Sequence, residues 1–377
     1  MKHPKKLFAG LALVLGIAAA TPSTHRHLRA ASVLARFSDA HDNGRLANFD
    51  RHTVDEKPFC FAAEREKLCG RIYLPRDIPH APGIVLLHGV HWLGIDEPRL
   101  VSFARALSAS GVTVFTPPVK ELADFQVSPA SIPTIGMAAQ ALHHQVGRGP
   151  VGIIAFSFAG GLALLAAADP RYTNDIGFVA AIGAHDDLLR VARFFFTDQI
   201  PTVDGKTILM PAHEYGGGVL AYTKAEKFFP GEADNARAAL RDWLMEEPPD
   251  KLKLSESKLS PAARILFEKL RSRQFGDSQT DFLRIVEESR NEMSAVSPRG
   301  HLSGLRTRVY LLHGTEDNVI PASEADWLAA EIPSRLLKAK VLSPAMIHVD
   351  PSKKISAKEE YDLVHYIAAI LDEAGQQ

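Results

Sequence analysis

The chain has 377 residues, of which 46% are hydrophobic and 23% charged, with a formal net charge of −1. These are the values of an ordinary soluble globular protein, enough for one large domain with an insertion or two modest ones. The near-zero charge gives no reason to expect nucleic acid or an anionic membrane as a partner.

The first element is a targeting segment. Lys2, Lys5 and Lys6 precede an apolar run from Leu7 to Ala20, and Ala18, Ala19 and Ala20 offer small residues for cleavage. This is the pattern of a secretory signal peptide over 1–20. The run is too short to span a bilayer comfortably, and an uncleaved anchor is the alternative. The expected location is therefore secreted or periplasmic, with no stable membrane insertion once the signal is gone and a mature charge of −4. The two cysteines, Cys60 and Cys69, lie beyond this segment, where export permits a disulfide. They flank FAAEREKL, which reads as a hairpin tip. Two free thiols are the alternative, and neither cysteine has the C-x-x-C spacing of a zinc or redox site.

Residues 21–50, rich in His, Arg, Ala and Asn, read as a leader or linker with a helix near Ala30–Phe37. Residues 53–75 read as a hairpin, and APGIVLLHG (81–89) as a buried strand entering a glycine-containing loop. A helix follows over 96–110, a strand in VTVFTPP, a helix over 132–146, and strands over 151–156 and 176–184. After a gap come strands at 308–314 and 338–342, with helices over 322–330 and 357–373. Alternation of near-continuous apolar strands with helices predicts an α/β fold built on a doubly wound, mostly parallel sheet. The gap, 189–305, carries helical patterns at 233–244, 261–273 and 281–293 and no clear parallel strand. It predicts a helical cap or lid inserted before the strand that leads to the acid, splitting the core into 51–188 and 306–377. Phe194, Phe195 and Phe196 at its start are either a lid edge facing an acyl chain or a buried aromatic turn.

The most informative stretch is VGIIAFSFAGGLALLAAA, from Val151 to Ala168. It predicts a strand, a sharp turn at Ser157 and a helix rich in small residues. A serine on such a turn has its hydroxyl exposed at the positive end of a helix. The flanking positions hold Ala155 and Ala159 where the strict G-x-S-x-G pattern has glycines, and the competing reading of Ser157 is an ordinary N-cap. A serine nucleophile needs a base, a carboxylate to orient it and donors for the oxyanion, all from loops at the carboxyl ends of strands. Asp317 follows the strand RVYLLHG in the turn TEDNVIP. His348 follows the last strand, in the segment SPAMIHVD. Glu316 and Asp350 are nearby substitutes for the acid, as are Asp186 and Asp187 after the 176–184 strand. His91 and Trp92 are candidate substrate-contacting residues, whereas His88 and His313, each before a glycine at a strand end, read as structural. Gly147 to Gly152 matches G-x-G-x-x-G in letters but precedes a strand and contains Pro150, so it is not a dinucleotide fingerprint. The histidines show no metal-ligand spacing.

The segments IVLLHG, IIAFSFAGG, VYLLHGTEDNVIP and IHVD, in this order at strand ends, resemble the α/β-hydrolase superfamily. The double glycine after the nucleophile is similar to the dienelactone-hydrolase and small-esterase branches, although dienelactone hydrolases have cysteine where this chain has Ser157. The resemblance covers about 82–187 and 306–374. It implies Ser157 as nucleophile, His348 as general base and acid, Asp317 as orienting carboxylate, and an oxyanion hole formed by the N–H groups of Val90 and Phe158. It also implies a serine hydrolase acting on a small-molecule acyl substrate, a carboxylic ester above all, with no cofactor and no metal. The alternatives are a peptidase or amidase, and a non-catalytic protein of this fold that binds an apolar ligand.

Overall fold

A computed structural model describes residues 22–64, 66–344 and 356–377. The signal peptide expected over 1–20 lies outside the described residues, as do His348 and Asp350. The first half of the fold contains α1 (Pro22–Ser38), β1 (Val54–Ala62), β2 (Lys67–Pro75), β3 (Gly83–Leu87), α2 (Pro98–Ser108), β4 (Thr113–Thr116), α3 (Lys120–Ala123), α4 (Ser131–Val146), β5 (Val151–Phe156), α5 (Phe158–Ala168) and β6 (Ile176–Ile182). An insertion follows, made of α6 (Leu188–Thr197), β7 (Gln199–Pro201), β8 (Thr207–Leu209), α7 (Glu214–Thr223), α8 (Ala225–Phe228), α9 (Ala233–Leu244), α10 (Pro249–Glu256), α11 (Pro261–Ser272), α12 (Ser278–Glu288) and α13 (Arg290–Ser294). The chain then returns through β9 (Arg308–Gly314), α14 (Ser323–Glu331), β10 (Leu337–Ser343) and α15 (Ala357–Gln376).

Eight strands form one sheet in the order β1-β2-β4-β3-β5-β6-β9-β10. The β1–β2 and β2–β4 pairs are antiparallel, and every pair from β4 to β10 is parallel. This is the doubly wound, mostly parallel sheet expected from the alternation of elements. Its central strands are apolar throughout because both faces are covered. Along β3, Ile84 and Leu86 pack toward α1, α2 and α15, while Val85 and Leu87 pack toward α4 and α5.

Of the leader expected over 21–50, the described residues 22–50 are built into the first of these layers. Ala30, Val33, Leu34 and Phe37 recur at helical spacing and put one stripe of α1 against the core. Arg36, only 6% exposed, donates to the carbonyls of Ala47 and Ala106 and ties the following turn to α2. At the far edge, Cys60 and Cys69 stand opposite each other on β1 and β2 and are joined by a disulfide, with Cα atoms 4.0 Å apart.

The insertion has an apolar interior of its own. Phe194, Phe195 and Phe196 lie on α6 rather than in a turn, and all three are buried. Phe196 packs against Phe228, Phe275 and Phe282 at ring separations of 5.3–6.1 Å. Among the described residues no helix is long and apolar enough to cross a membrane.

Candidate active site

Ser157 alone makes the turn between β5 and α5. Its φ of 57° and ψ of −137° lie in a region that residues with a side chain rarely occupy, at a cost of about 1–3 kcal/mol. The backbone is held there from both sides. The Ser157 N–H donates to the Ile182 carbonyl at 2.7 Å, and the Ser157 carbonyl accepts from Gly160 N–H at 2.9 Å. The hydroxyl makes no capping bond to α5. An N-cap serine has extended φ/ψ and accepts from the first turn through Oγ, so Ser157 is not acting as one.

Small neighbours make the turn possible. Ala155 and Ala159 are completely buried. A β-carbon on Gly160 would come within 2.6 Å of the Ala184 methyl, and one on Gly161 within 2.4 Å of the His185 ring. The double glycine therefore lets the start of α5 pack directly on the segment leaving β6, and fixes the angle of the turn. Across from it lies Gly89, where a β-carbon would sit 3.1 Å from Ser157 Cβ and 3.8 Å from its Oγ. The loop after β3 thus passes beside the serine side chain.

That loop carries Val90, whose N–H donates to no carbonyl among the described residues. Phe158 is the first residue of α5, and its N–H is one of those a helix start leaves without an intrahelical partner. Flanking N–H groups at a helix start suit a developing negative charge.

Asp317 lies in the turn after β9 and is 2% exposed. Its Oδ1 accepts from the N–H groups of Val319 and Ile320, both at 2.9 Å, and its Oδ2 is 3.6 Å from His313 Nε2. The turn-forming reading of Asp317 is therefore satisfied by one carboxylate oxygen. His313 is itself buried and its Nε2 bonds the Ile320 carbonyl at 2.8 Å. His88 is likewise buried, with Nδ1 2.8 Å from Gly89 O, and burial holds its titration below the ordinary range. His91 is half-buried and its ring stacks at 6.2 Å on that of Trp92, which is 39% exposed.

Two of the other acids considered, Asp186 and Asp187, have different employment. Asp187 caps α6 through Oδ1 and pairs with Arg299 at 2.7 Å through Oδ2. Asp186 pairs with Arg190 at 2.8 Å. Glu324 of α14, 1% exposed, accepts the backbone N–H groups of both Asp186 and Asp187 and pairs with Arg190. The exit of the insertion joins the same knot, since Arg299 N–H donates to Asp186 O. The knot ties the two ends of the insertion to the core.

Two residues of the insertion that the sequence did not single out reach the site loops. Tyr215 donates its hydroxyl to Val90 O at 2.7 Å, and His213 N–H donates to Asn318 O at 2.8 Å. Glu214-Tyr215 followed by three glycines is the only local signal, and it does not reveal a contact made across 125 residues of chain. Among the described residues no group of three His, Cys, Asp or Glu is placed to hold a metal ion. Gly147 ends α4 in the left-handed conformation and Gly152 lies within β5, so the glycine pattern there is not a phosphate loop.

The chain matches no protein-family model and no curated protein. Solved structures do resemble it. A Legionella pneumophila protein, a hydrolase by designation only, superposes with a TM-score of 0.55 at 12% identity, over 93% of this chain and 95% of that one. The hydrolase of 2-hydroxy-6-oxo-6-phenylhexa-2,4-dienoate from a Rhodococcus species has a TM-score of 0.45 at 16% identity, over 86% of this chain and 100% of that one. Pyrococcus horikoshii acylaminoacyl peptidase has a TM-score of 0.44 at 12% identity and 83% coverage of this chain, which spans 40% of the peptidase. The sheet order, the turn at Ser157 and the first of these likenesses define the fold as that of the α/β-hydrolases.

Proposed function

We infer that the protein is a serine hydrolase that cleaves carboxylic esters of small molecules through an acyl-enzyme on Ser157. The observation that carries this reading is the backbone of Ser157. A non-glycine residue held at φ 57° with its hydroxyl excluded from capping is strain without structural return, and such strain concentrates where chemistry needs a projecting nucleophile.

In the proposed reaction Ser157 Oγ attacks the ester carbonyl carbon while His348 takes the hydroxyl proton. The tetrahedral oxyanion lies between the N–H groups of Val90 and Phe158. Its collapse expels the alcohol, which receives the proton from His348. Water, deprotonated by the same histidine, then attacks the acyl-enzyme and releases the carboxylic acid with Ser157 regenerated. Asp317 orients the histidine. His91 and Trp92, beside Val90 in the chain, contact the substrate. No cofactor enters the scheme. The helical insertion over 189–305 acts as the lid, and the Cys60–Cys69 disulfide supports a secreted or periplasmic location.

The test is hydrolysis of p-nitrophenyl esters from acetate to palmitate by the wild type and Ser157→Ala. Turnover by the wild type alone is expected, with the chain-length profile describing the acyl pocket. A folded wild type that neither hydrolyses these esters nor reacts with a fluorophosphonate probe overturns the reading and leaves ligand binding. Cleavage of peptide amides with esters untouched replaces esterase with peptidase.

A further inference from the structure

The peptide joining Val90 to His91 is held at both of its polar ends. Its carbonyl, on Val90, accepts the Tyr215 hydroxyl at 2.7 Å, and its N–H, on His91, donates to Leu122 O at 3.2 Å. One peptide earlier, the Gly89 carbonyl is 2.8 Å from His88 Nδ1. The Val90 N–H lies between these two anchored carbonyls, so its direction is set by the groups that hold them. Two anchors, His88 and Leu122, belong to the core. The third comes from α7, in the insertion.

Tyr215 is built for this contact. Its ring packs edge-on against Phe125 at 6.4 Å, and burial pushes its phenol well above the ordinary range, so the hydroxyl remains a donor. Its own N–H is capped by His213 Nδ1 at 3.2 Å, which fixes the first turn of α7. The backbone N–H of that same His213 donates to Asn318 O, next to Asp317. The first turn of α7 therefore braces the loop after β3 and the loop after β9 together.

We propose that Tyr215 is a positioning residue of the oxyanion hole: its hydroxyl fixes the Val90–His91 peptide and thereby aims the Val90 N–H. On this assignment the insertion contributes to the catalytic arrangement itself. This rests on the reading of Ser157 as nucleophile. Removing the hydroxyl frees a buried carbonyl to rotate, which weakens a donor that matters most when the oxyanion forms. The loss belongs in kcat and not in KM.

The experiment compares wild type, Tyr215→Phe and Tyr222→Phe. Tyr222 is the control, a tyrosine of the same helix whose hydroxyl bonds Asp124 at 2.9 Å and not the Val90 loop. Phenylalanine fills the same space, and thermal midpoints report on folding. For Tyr215→Phe, kcat on a p-nitrophenyl ester and the rate of fluorophosphonate labelling should fall together by about 10-fold, the scale of one weakened hydrogen bond at an oxyanion, with KM unchanged. Tyr222→Phe should keep wild-type values. Unchanged kcat in Tyr215→Phe, an equal fall in both variants, or a change confined to KM overturns the assignment. A wild type inert to both ester and probe removes the nucleophile reading itself, an outcome distinct from an active wild type indifferent to Tyr215.

Discussion

Gly89 lies against Ser157 so closely that a β-carbon at Gly89 would be 3.1 Å from Ser157 Cβ. Such a separation is tighter than ordinary van der Waals contact, and Ser157 cannot retreat because its N–H is bonded to Ile182 and its carbonyl to Gly160. The cost of Gly89→Ala must fall on the loop after β3 or on the serine rotamer. Either shift moves Oγ relative to the N–H groups of Val90 and Phe158, the proposed oxyanion donors, by about a few tenths of an ångström. Gly89→Ala should lower kcat/KM on a p-nitrophenyl ester by about 10- to 100-fold while far-UV circular dichroism stays that of the wild type. Full activity in this variant would show that the loop has slack.

The strain at Ser157 gives a stability prediction independent of any substrate. Alanine keeps a β-carbon and therefore the steric cost at φ 57°, whereas glycine relieves it. Ser157→Gly should unfold at a higher urea midpoint than Ser157→Ala, by about 1 kcal/mol after the added flexibility of the unfolded glycine is set against the relief. Both should be inactive. Equal midpoints would mean that the turn carries no more strain than the entropic cost of glycine, and would weaken the observation on which the nucleophile reading leans most.

Asp317 holds its turn through one carboxylate oxygen, which leaves the other for the orienting role proposed for it. Oδ1 holds the turn through Val319 and Ile320, and an asparagine oxygen can accept the same two bonds. Asp317→Asn should therefore keep the turn and the thermal midpoint while losing the negative charge that steadies a histidine carrying a proton. We expect kcat to fall by about 100- to 10,000-fold. If the variant instead loses stability with kcat little changed, Asp317 is a turn residue and the acid lies elsewhere.

The sheet was legible because its strands announce themselves as buried apolar runs at regular spacing. RVYLLHG is β9 from end to end, and the helix over 233–244 is α9. The turn at Ser157 was legible because a strand, a serine between small residues and a small-residue helix admit few other structures. The fate of residues 22–50 was not, because a short stripe of Ala30, Val33, Leu34 and Phe37 does not say whether a partner surface exists; α2 and α15 supply it. The strands β7 and β8 span only three residues each, too short for a periodicity to register. Tyr215 was invisible for a third reason. Its role lies in a bond to a backbone carbonyl, and a carbonyl carries no mark of side-chain chemistry in the sequence.

The knot at the ends of the insertion should make stability depend on pH. Burial, opposed by the Arg190 hydrogen bond and reinforced by Glu324, pushes the Asp186 carboxyl up to about 7. Asp187, Arg299 and Glu331 complete the charged surroundings. An unfolded aspartate titrates near ~3.9. Between about pH 4 and pH 7 the folded protein thus holds a proton that the unfolded chain has released, so stability falls as pH rises through this window and levels off above it. Asparagine cannot ionise, and its oxygen still accepts from Arg190. Asp186→Asn should match the wild type only near pH 4 and exceed it by a margin that grows up to about pH 7 and is then constant, because groups titrating in both proteins cancel in the difference. Thermal midpoints of the two proteins across pH 4–8 check this, and parallel curves would mean that Arg190 keeps Asp186 ionised throughout.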